Sequence, residues 1–367
     1  MKAVVERSDV LLVTGGAGFI GANLVRYLLE HSGARLVVLD KLSYAGHRES
    51  LAGLESARFD FVQGDIGDRA LVGGLLERQR PRAILNLAAE THVDRSIDDA
   101  SAFVNTNVVG SFGLLEAVRA HWARLPAGEK AGFRLLHVST DEVYGSIAPG
   151  QRADEQAPLA PSSPYSASKA AADQLMLAWQ RTYGLPVLVT HSANNFGPYQ
   201  HPEKLIPLML LNALEGKPLP LYGDGRNERD WLYVEDHCDA LLRALERGRP
   251  GERYNVGVGR ECTNHELVTR LCALLEQERP ARANPVLRER GVSAYAELVR
   301  FVEDRPGHDR RYALDAGKIA REIGWQPRHA LDEALRATVR WYLANAAWCG
   351  AVGHDRRRLG VVERAQA

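Results

Sequence analysis

The stretch VLLVTGGAGFIGANLVRYLLE, residues 10–30, decides the fold. Its first five residues form a short apolar run, and its last nine, Ala22–Glu30, have the spacing of a helix. Gly15, Gly18 and Gly21 lie between them. In this pattern glycine permits a tight turn, close approach of a pyrophosphate, and close packing of helix on strand. The helix N-terminus then offers unpaired N–H groups to phosphates, which predicts a dinucleotide site here.

Short apolar runs alternate with helical patterns through the first half of the chain, which predicts an α/β fold with a doubly wound, Rossmann-type parallel sheet. The predicted strands are Val10–Thr14, Leu36–Leu39, Phe59–Gln63, Ala83–Leu87, Leu135–Ser139 and Val187–Thr190. The helices predicted between them include Ala102–His121 and Ser166–Thr182. On such sheets ligands bind beyond the carboxyl ends of the strands.

After Asn195 the pattern changes, because prolines interrupt the chain and the short strands become irregular. We predict a dinucleotide-binding domain over residues 1–195, with a chain return near residues 229–250, and a smaller α/β lobe over residues 196–367. The helices predicted there are Lys204–Leu214, Glu235–Leu245, Asn264–Leu275 and Leu331–Ala344. Arg279–Gly291 is expected to be a surface loop.

The composition is that of a globular protein of 367 residues, with 45% hydrophobic and 25% charged residues. Lys plus Arg and Asp plus Glu are equal at 46 each, so no net field favours nucleic acid or a membrane surface. The four cysteines form no C-x-x-C pair, and we predict reduced thiols and no metal site. The N-terminus lacks a signal-peptide pattern, and a cytoplasmic location is expected.

Further residues at predicted strand ends suit the same dinucleotide. Asp40 ends the second strand, where a carboxylate accepts hydrogen bonds from ribose hydroxyls and favours NAD over NADP. Asp65 and Ile66 follow the third strand, where an adenine could lie. Ala88 and Ala89 are small residues that leave room at the end of the fourth strand.

Two motifs carry the chemistry. YSASK places Tyr165 and Lys169 four residues apart, on one helix face, and a nearby ammonium is expected to lower the tyrosine pKa from about 10. The strand LLHVSTDEVYG ends in Thr140, Asp141 and Glu142. One polar side chain would suffice to cap a turn, which would leave Glu142 unexplained. An adjacent acid and base suit an elimination, because a proton must be removed and a leaving hydroxyl protonated.

These motifs resemble the extended short-chain dehydrogenase/reductase family, and STDEVYG is similar to its nucleotide-sugar 4,6-dehydratases, in particular the dTDP-glucose branch. AAETHVDRSI, NNFGPYQHPEKLIPL, GKPLPLYGDGRNERDWLYVEDH, YNVG and VEDRPGHDRRYALD extend the resemblance from Val10 to about Trp348. It implies NAD as cofactor and a dTDP-sugar as substrate. It also implies a homodimer formed through helices, which NTNVVGSFGLLEAVRAHW and AAADQLMLAWQRTYG could supply.

The resemblance implies a role for each matched position. Catalysis falls to Thr140, Asp141, Glu142, Tyr165 and Lys169. The expected NAD contacts are Gly15, Gly18, Phe19, Ile20, Gly21, Asp40, Lys41, Leu42, Ser43, Asp65, Ile66, Leu87, Ala88, Ala89, Thr91, Thr106, Tyr165, Lys169 and Asn195. The expected sugar-nucleotide contacts are Thr91, Thr140, Asn194, Glu203, Lys204, Leu205, Pro220, Leu221, Tyr222, Arg229, Asn264, Asp304, Arg305, Pro306, Gly307 and His308. Among these, Arg229 is expected to offer a bidentate fork to the diphosphate.

The implied reaction converts dTDP-glucose to dTDP-4-keto-6-deoxyglucose and water. Three alternatives stay open: the same chemistry on another nucleotide sugar such as UDP-glucose, an epimerase or decarboxylase of the same fold, and a non-catalytic NAD-binding regulator. The Asp141–Glu142 pair disfavours the second, and the presence of Tyr165 and Lys169 disfavours the third. The chain departs from the family pattern at Ser192-Ala193 and at Phe196, which puts contacts near the nicotinamide in doubt.

Overall fold

The computed structural model describes residues 9–54 and 57–353. Within these ranges the chain forms twelve strands: β1 (Val10–Thr14), β2 (Arg35–Asp40), β3 (Phe59–Gln63), β4 (Ala83–Asn86), β5 (Arg134–Thr140), β6 (Val187–Ser192), β7 (Asn194–Phe196), β8 (Leu219–Tyr222), β9 (Glu228–Tyr233), β10 (Arg253–Val256), β11 (Glu261–Thr263) and β12 (Val299–Val302). The ends of the two predicted domains, residues 1–8 and 354–367, lie outside the described residues.

The α-helices are α1 (Phe19–His31), α2 (Arg69–Gln79), α3 (Val93–Asp98), α4 (Ser101–Phe103), α5 (Ser111–Arg124), α6 (Ala127–Gly132), α7 (Pro164–Tyr183), α8 (Leu205–Leu214), α9 (Val234–Arg247), α10 (Asn264–Glu278), α11 (Pro285–Glu289), α12 (Gly317–Ile323), α13 (Leu331–Ala344) and α14 (Ala346–Val352). A π-helical segment, Val104–Gly110, joins α4 to α5. In the part of the chain that the structure describes, no helix has both the length and the apolar character that crossing a membrane requires.

Seven strands form one parallel sheet in the order β10-β6-β5-β4-β1-β2-β3, so the predicted doubly wound sheet is confirmed. Successive side chains of a strand point to opposite faces. In β1, Leu11 and Val13 therefore join one apolar layer, with α1, α9 and α12, while Leu12 joins the other, with α2, α5 and α7. Burial on both faces explains why these strands are almost continuously apolar.

The six predicted strands correspond to β1–β6, but β10 was not predicted. Its four residues pair with β6 at the sheet edge, and α9 packs against α1. Two segments from the second half of the sequence therefore complete the sheet and one of its layers. The domain boundary at residue 195 stays a prediction.

A second lobe, formed mostly by elements from the second half of the chain, has its own apolar core. It contains a three-stranded sheet, β11-β9-β7, and a parallel pair, β12-β8, packed with α8, α10 and α13. The prediction of a surface loop over Arg279–Gly291 was wrong, because this segment includes α11 and buries Ala281 and Leu287 completely. Its apolar residues are too few for a recognisable period in the sequence.

Candidate active site

A cavity lies beyond the carboxyl ends of the central strands, and the glycine turn after β1 forms part of its wall. We call it the first cavity; its lining includes Gly15, Gly18, Phe19, Ile20, Gly21, Asp40, Lys41, Ser43, Asp65, Ile66, Leu87, Ala88, Ala89, Thr91, Thr106, Thr140, Glu142, Tyr165, Lys169, Ser192, Ala193, Asn194, Asn195, Gln200, His201 and Lys204. Every residue predicted to contact the cofactor is present except Leu42. That residue instead donates its backbone N–H to Asp40 Oδ1 at 2.8 Å.

Two of the three glycines in the turn are required: Gly15 by its backbone conformation and by space, and Gly21 by space. Gly15 has φ +70°, and a Cβ there would lie 2.6 Å from the Ala88 nitrogen. A Cβ on Gly21 would lie 2.1 Å from the Gly15 carbonyl oxygen. A Cβ on Gly18 would meet only that same oxygen, at 3.3 Å, so this position is open enough for a ligand to approach. The turn therefore has the form that a bound pyrophosphate needs.

Asp40 ends β2 with its carboxylate held in place by the backbone. Its Oδ2 accepts a hydrogen bond from the Ala17 N–H at 2.9 Å, and its Oδ1 accepts one from Leu42. Burial raises the pKa of Asp40, and the two backbone hydrogen bonds oppose that rise. Lys41 is directed elsewhere, because its Nζ donates to Thr106 Oγ1 at 2.6 Å and lies 3.4 Å from Glu90. Asp40 is thus the polar group at the position expected for a ribose.

The end of β5 places two carboxyl groups in closely related but unequal surroundings. Thr140 caps the following 3₁₀ turn, because its Oγ1 accepts a hydrogen bond from the Glu142 N–H at 3.3 Å. The same hydroxyl donates to Asp141 Oδ1 at 3.2 Å, and Asp141 Oδ2 has no hydrogen-bond partner among the described residues. Burial, followed by the charge of Glu142, raises the pKa of Asp141 well above its usual value.

Glu142 faces both the first cavity and a second one beside it. Burial raises the pKa of Glu142, but three cationic side chains, Arg305, Arg229 and Lys204, oppose the rise. The rise in the pKa of Asp141 is opposed chiefly by the charge of Arg229. Two adjacent carboxyls whose surroundings differ in this way are suited to separate acid and base roles.

Helix α7 presents Tyr165 and Lys169 to the first cavity. Ser163 and Ser166 form a capping box around Pro164, which fixes where the helix begins. Burial, and then the charge of Glu142, raises the pKa of Tyr165 well above its usual value, although a hydrogen bond with Thr140 opposes the rise.

Lys169 is itself buried, and burial lowers its pKa to about 8. Its Nζ donates to the Val138 carbonyl oxygen at 2.8 Å. The expected lowering of the Tyr165 pKa does not hold for the protein alone, because burial and the charge of Glu142 raise that pKa.

The second cavity is formed between the sheet and the second lobe. Its lining comprises Thr91, His92, Val93, Asp94, Glu142, Asn194, Asn195, Gln200, Glu203, Lys204, Leu205, Leu221, Tyr222, Arg229, Trp231, Asn264, Arg305, His308 and Tyr312. Most residues predicted to contact a sugar nucleotide are present. Pro220, Asp304, Pro306 and Gly307 line neither cavity. Asp304 accepts a hydrogen bond from His308 Nδ1 at 2.6 Å, so it supports a residue that does.

Arg229 reaches the second cavity with part of its guanidinium already engaged. One of its terminal nitrogens donates to the Glu228 carbonyl and the other to the Asp309 carbonyl, each at 2.8 Å. Its Cζ also lies 4.0 Å from the centre of the Tyr312 ring. The terminal nitrogens expected to bind a diphosphate as a fork are thus also backbone donors, which fixes the orientation of the side chain.

Several residues of the second cavity were not predicted from the sequence, and Asp94 is the most informative of them. This buried carboxylate accepts hydrogen bonds from the Tyr222 hydroxyl at 2.9 Å and from Arg305 at 2.8 Å. Tyr312 was also missed; its hydroxyl lies 3.4 Å from Glu142 Oε2. The quoted segments HVDRS and RRYALD contain both residues, but neither motif reveals what they touch across the fold.

The departures from the family pattern fall in different places. Ser192 and Ala193 line the first cavity. Phe196 is almost fully buried in the core of the second lobe, 6.4 Å from Trp231 between ring centres. Its missing hydroxyl is therefore not a cavity contact.

Comparisons with known proteins agree with this geometry. Residues 12–338 match the family model described as GDP-mannose 4,6 dehydratase. The chain is 54% identical over 349 residues to a dTDP-glucose 4,6-dehydratase of Xanthomonas campestris pv. campestris, covering 95% of this chain and 97% of that protein. The chain belongs to the dTDP-glucose 4,6-dehydratase family. A relative of the same name from Neisseria meningitidis serogroup B is 52% identical over 353 residues, with the same coverage of both chains.

The likeness to this dehydratase family holds in three dimensions. The crystal structure of a dTDP-glucose 4,6-dehydratase from Streptomyces venezuelae, solved with NAD bound, superposes with a TM-score of 0.81 at 46% identity. The match covers 94% of this chain and 99% of the Streptomyces venezuelae chain.

Proposed function

We propose that the chain is an NAD-dependent lyase that converts dTDP-glucose to dTDP-4-keto-6-deoxyglucose and water. The observation that carries the proposal is the pair formed by buried Asp141 and cavity-lining Glu142 beside Tyr165, because an alcohol oxidation or an epimerisation has no use for this additional acid and base. Relatives of that name, more than 50% identical over almost the whole chain, support the choice of substrate.

The first cavity fits NAD. Its glycine turn leaves space that a Cβ would fill, and Asp40 presents a carboxylate where the ribose hydroxyls of a dinucleotide would lie. Bound NAD would supply the redox chemistry, oxidising C4 of the sugar and later reducing C6, and its oxidised nicotinamide would add a positive charge that favours ionisation of Tyr165. Because the reaction has no net redox change, the cofactor can stay bound between turnovers.

In the proposed oxidation, Tyr165 accepts the proton of the C4 hydroxyl. The raised pKa of Tyr165 means that ionisation requires positive charge nearby, and Lys169 supplies one such charge from the next turn of α7. The Thr140 hydroxyl contacts Tyr165 and can orient the C4 hydroxyl toward it.

In the proposed elimination, Glu142 removes the C5 proton, which the 4-keto group has acidified, and Asp141 protonates the departing C6 hydroxyl. Asp141 is buried and its pKa is raised, which suits a carboxyl group that must be neutral at that moment. Protons balance when C5 is reprotonated and Asp141 regains the proton that Tyr165 took from C4. Thr140 contacts both of these groups, which gives that proton a short path.

The charges of the second cavity suit a nucleoside diphosphate. Lys204, Arg229 and Arg305 all line it; Arg229 is buried and the other two are half-buried. Three carboxylates, Asp94, Glu142 and Glu203, also line it. Asp94 is paired with Arg305 and Glu203 with Arg95, so we infer that Lys204 and Arg229 are the cations that meet the two negative charges of a diphosphate. We propose that this cavity holds the nucleotide and directs the sugar toward Glu142, where the two cavities meet.

We further propose that two copies of the chain associate through the helical face formed by residues 104–112 and the end of α7. Large apolar side chains are exposed there: Val104 by 47%, Val109 by 54%, Phe112 by 40% and Tyr183 by 46%. A contiguous exposed apolar surface of this kind favours a protein interface. V109D should convert a dimer to a monomer in light scattering. V286D changes another exposed valine, 42% exposed and outside this face, and should leave the mass unchanged.

Cys238, Cys262 and Cys272 are free thiols, which favours a reducing compartment. We therefore propose that the enzyme acts in the cytoplasm.

A turnover assay with dTDP-glucose and UDP-glucose in parallel tests the proposed reaction. Mass spectrometry should detect loss of one water from dTDP-glucose, with no net formation of NADH. Turnover of UDP-glucose alone would keep the chemistry and change the substrate. Absence of water loss from both sugars would contradict the roles of Asp141 and Glu142.

A further inference from the structure

Asp173 is a fully buried carboxylate that the proposed reaction does not use. It follows Tyr165 and Lys169 on α7 at intervals of four residues, so the three side chains share one helix face. Their exposed fractions are 7%, 3% and 0%, falling with distance from the first cavity. A carboxylate at the closed end of such a row needs a reason to be there, because burying an unpaired charge is costly.

Asp173 is surrounded by hydrogen-bond donors from the two strands beneath it. Its Oδ2 accepts from the Ser139 hydroxyl at 2.8 Å and lies 3.1 Å from His191 Nε2. Its Oδ1 lies 3.5 Å from His137 Nε2. Ser139 and His137 belong to β5 and His191 to β6, so the rigid core of the sheet fixes the position of the carboxylate.

The proton positions around His137 follow from its neighbours. The Thr14 hydroxyl donates to Asn86 Oδ1 at 2.6 Å, so the amide nitrogen of Asn86 faces His137 Nδ1 at 2.9 Å. Nδ1 is therefore the acceptor, and in the neutral ring the proton is on Nε2, which faces Asp173. Burial lowers the pKa of His137 to about 3, which agrees with a neutral ring.

A second chain of hydrogen bonds orients His191. Asn255 donates its amide N–H to the Ala153 carbonyl at 2.9 Å, so its Oδ1 accepts from the Tyr144 hydroxyl at 3.0 Å. The Tyr144 oxygen then accepts from His191 Nδ1 at 2.9 Å. A hydrogen bond between His191 Nε2 and Asp173 likewise requires a proton between them. Oδ2 of Asp173 thus accepts from the Ser139 hydroxyl and contacts His191, while Oδ1 has no hydrogen-bond partner among the described residues.

Lys169 lacks an ion-pair partner in direct contact among the described residues. Its Nζ contacts the Val138 carbonyl and lies 3.4 Å from His137 Nε2, and neither group carries negative charge. Burial lowers the pKa of Lys169, and the charge of Asp173 is what opposes that effect. Burial alone would raise the pKa of Asp173, but His191, His137 and Lys169 together lower it. The two groups therefore favour each other's ionised form.

We propose that Asp173 is a positioning residue that keeps Lys169 protonated in this closed site, with His137 and His191 holding the carboxylate in place. The consequence for Tyr165 rests on the proposed function, since it assumes that the lysine charge assists removal of the C4 hydroxyl proton. The coupling between Asp173 and Lys169 does not rest on it. The titratable groups packed around the pair are Tyr165 on α7, His137 on β5 and His191 on β6.

A double-mutant cycle on protein stability tests the coupling without turnover. Unfolding of the NAD-saturated protein is measured at pH 7 for D173N, K169M and the double variant. D173N alone leaves a buried ammonium without its counter-charge, and the folded-to-unfolded ratio should fall about 100-fold or more. In the K169M background D173N instead removes an anion that has lost the charge of Lys169 and keeps only its contacts with Ser139 and the two histidines, so the same change should cost much less stability. Equal losses in the two backgrounds would overturn the proposal.

Two further variants keep the test decisive. D173E retains the charge, so it should lose less stability than D173N when Lys169 is present. If D173N does not fold, D173E should still fold. Equal losses of stability for D173E and D173N count against the proposal. D236N is the control. Asp236 is another buried helical carboxylate; it lies on α9, contacts His329, and should show no coupling with K169M. Coupling of similar size there would reveal a general loss of structure.

The pH profile of turnover connects the pair to the reaction. Without Asp173, Lys169 should lose its proton at a lower pH, so the activity of D173N relative to the unchanged enzyme should fall at least tenfold between pH 6 and pH 9. A constant ratio would indicate a structural role only and would overturn the link to Tyr165. If the unchanged enzyme shows no turnover while the stability cycle shows coupling, the proposed function fails and the coupling stands.

Discussion

The two cavities that meet at Glu142 are built in different ways. The first is organised by a single strand–turn–helix unit and by the ends of neighbouring parallel strands, so residues close in sequence lie close in space. The second is assembled from segments around residues 91–94, 194–205, 221–231, 264 and 305–312, which only the folded lobe brings together. Specificity for one ligand can thus be read from local spacing in the first cavity, but in the second it depends on long-range contacts.

This difference predicts how variants should separate. A change in the first cavity should alter binding of NAD and leave binding of the sugar nucleotide intact. A change in the second cavity should alter binding of the sugar nucleotide and leave NAD bound. A change at the junction should leave both ligands bound and remove the chemistry.

The junction should give the largest effect. E142Q removes the base while keeping its shape, and general-base catalysis is typically worth about 10²–10⁴-fold in rate. We expect kcat to fall by that factor, while calorimetry shows unchanged binding of dTDP and an unchanged NAD content. Weakened binding of either ligand would instead assign Glu142 a structural role.

The same two carboxyls set the pH dependence of turnover. The pKa of Glu142 is raised, and a base must be ionised, so kcat should decline as pH falls through a value above the ordinary 4.3 or so of glutamate. Asp141 must be protonated, so kcat should decline again as pH rises through its own raised pKa. D141N should remove this alkaline limb; a retained limb would point to another acid.

The glycine turn should give the next largest effect. In G15A the new Cβ would overlap the Ala88 backbone, and the left-handed φ adds strain, so we expect a loss of about 2–4 kcal/mol in stability and a large loss of NAD. G150A is the matched control, because Gly150 has φ +76° but nothing within 4 Å of its Cβ position. Equal losses for the two variants would show that strain, and not crowding, determines the effect.

Sequence patterns predicted the first cavity well because its determinants are local. Six strands, the glycine turn and Asp40 were all visible as spacing or as strand ends. β10 was not, because four residues far along the chain carry no period of their own. The raised pKa of Tyr165 was also missed, because burial depends on what the second lobe covers.

The second cavity was predicted only through resemblance, and its internal supports were not. Asp94 looked like an ordinary residue of a helix, since nothing near it in sequence reveals contacts with Tyr222 and Arg305 more than 120 residues away. Asp173 was overlooked for a related reason. Its four-residue spacing from Lys169 was visible in YSASKAAAD, but its histidine partners come from two other strands.

D94N tests the second cavity. Loss of the charge that holds Tyr222 and Arg305 should cost about 1.5–3 kcal/mol, or about 10–100-fold in KM for the sugar nucleotide, with NAD content unchanged. D224N is the control. Asp224 forms an ion pair with Arg310 in the same lobe, and both side chains of this pair are 53% exposed. Such exposed pairs contribute little, and KM should change less than about threefold. Loss of NAD from D94N would contradict the separation of the two cavities.

Asp40 should give the smallest effect, and it tests the first cavity at its most specific point. D40N keeps one oxygen acceptor but loses the charge, and both carboxylate oxygens are already engaged by backbone N–H groups. Replacing one acceptor by an amide N–H sets two donors against each other, which should cost about 1 kcal/mol, or roughly fivefold, in NAD affinity. Because a 2′-phosphate is repelled by a carboxylate, affinity for NADP should fall less or even rise, so the ratio of the two dissociation constants is the informative measurement. A uniform loss for both cofactors would mean that Asp40 only shapes the turn, and the preference for NAD would then have to come from the residues that surround Lys41.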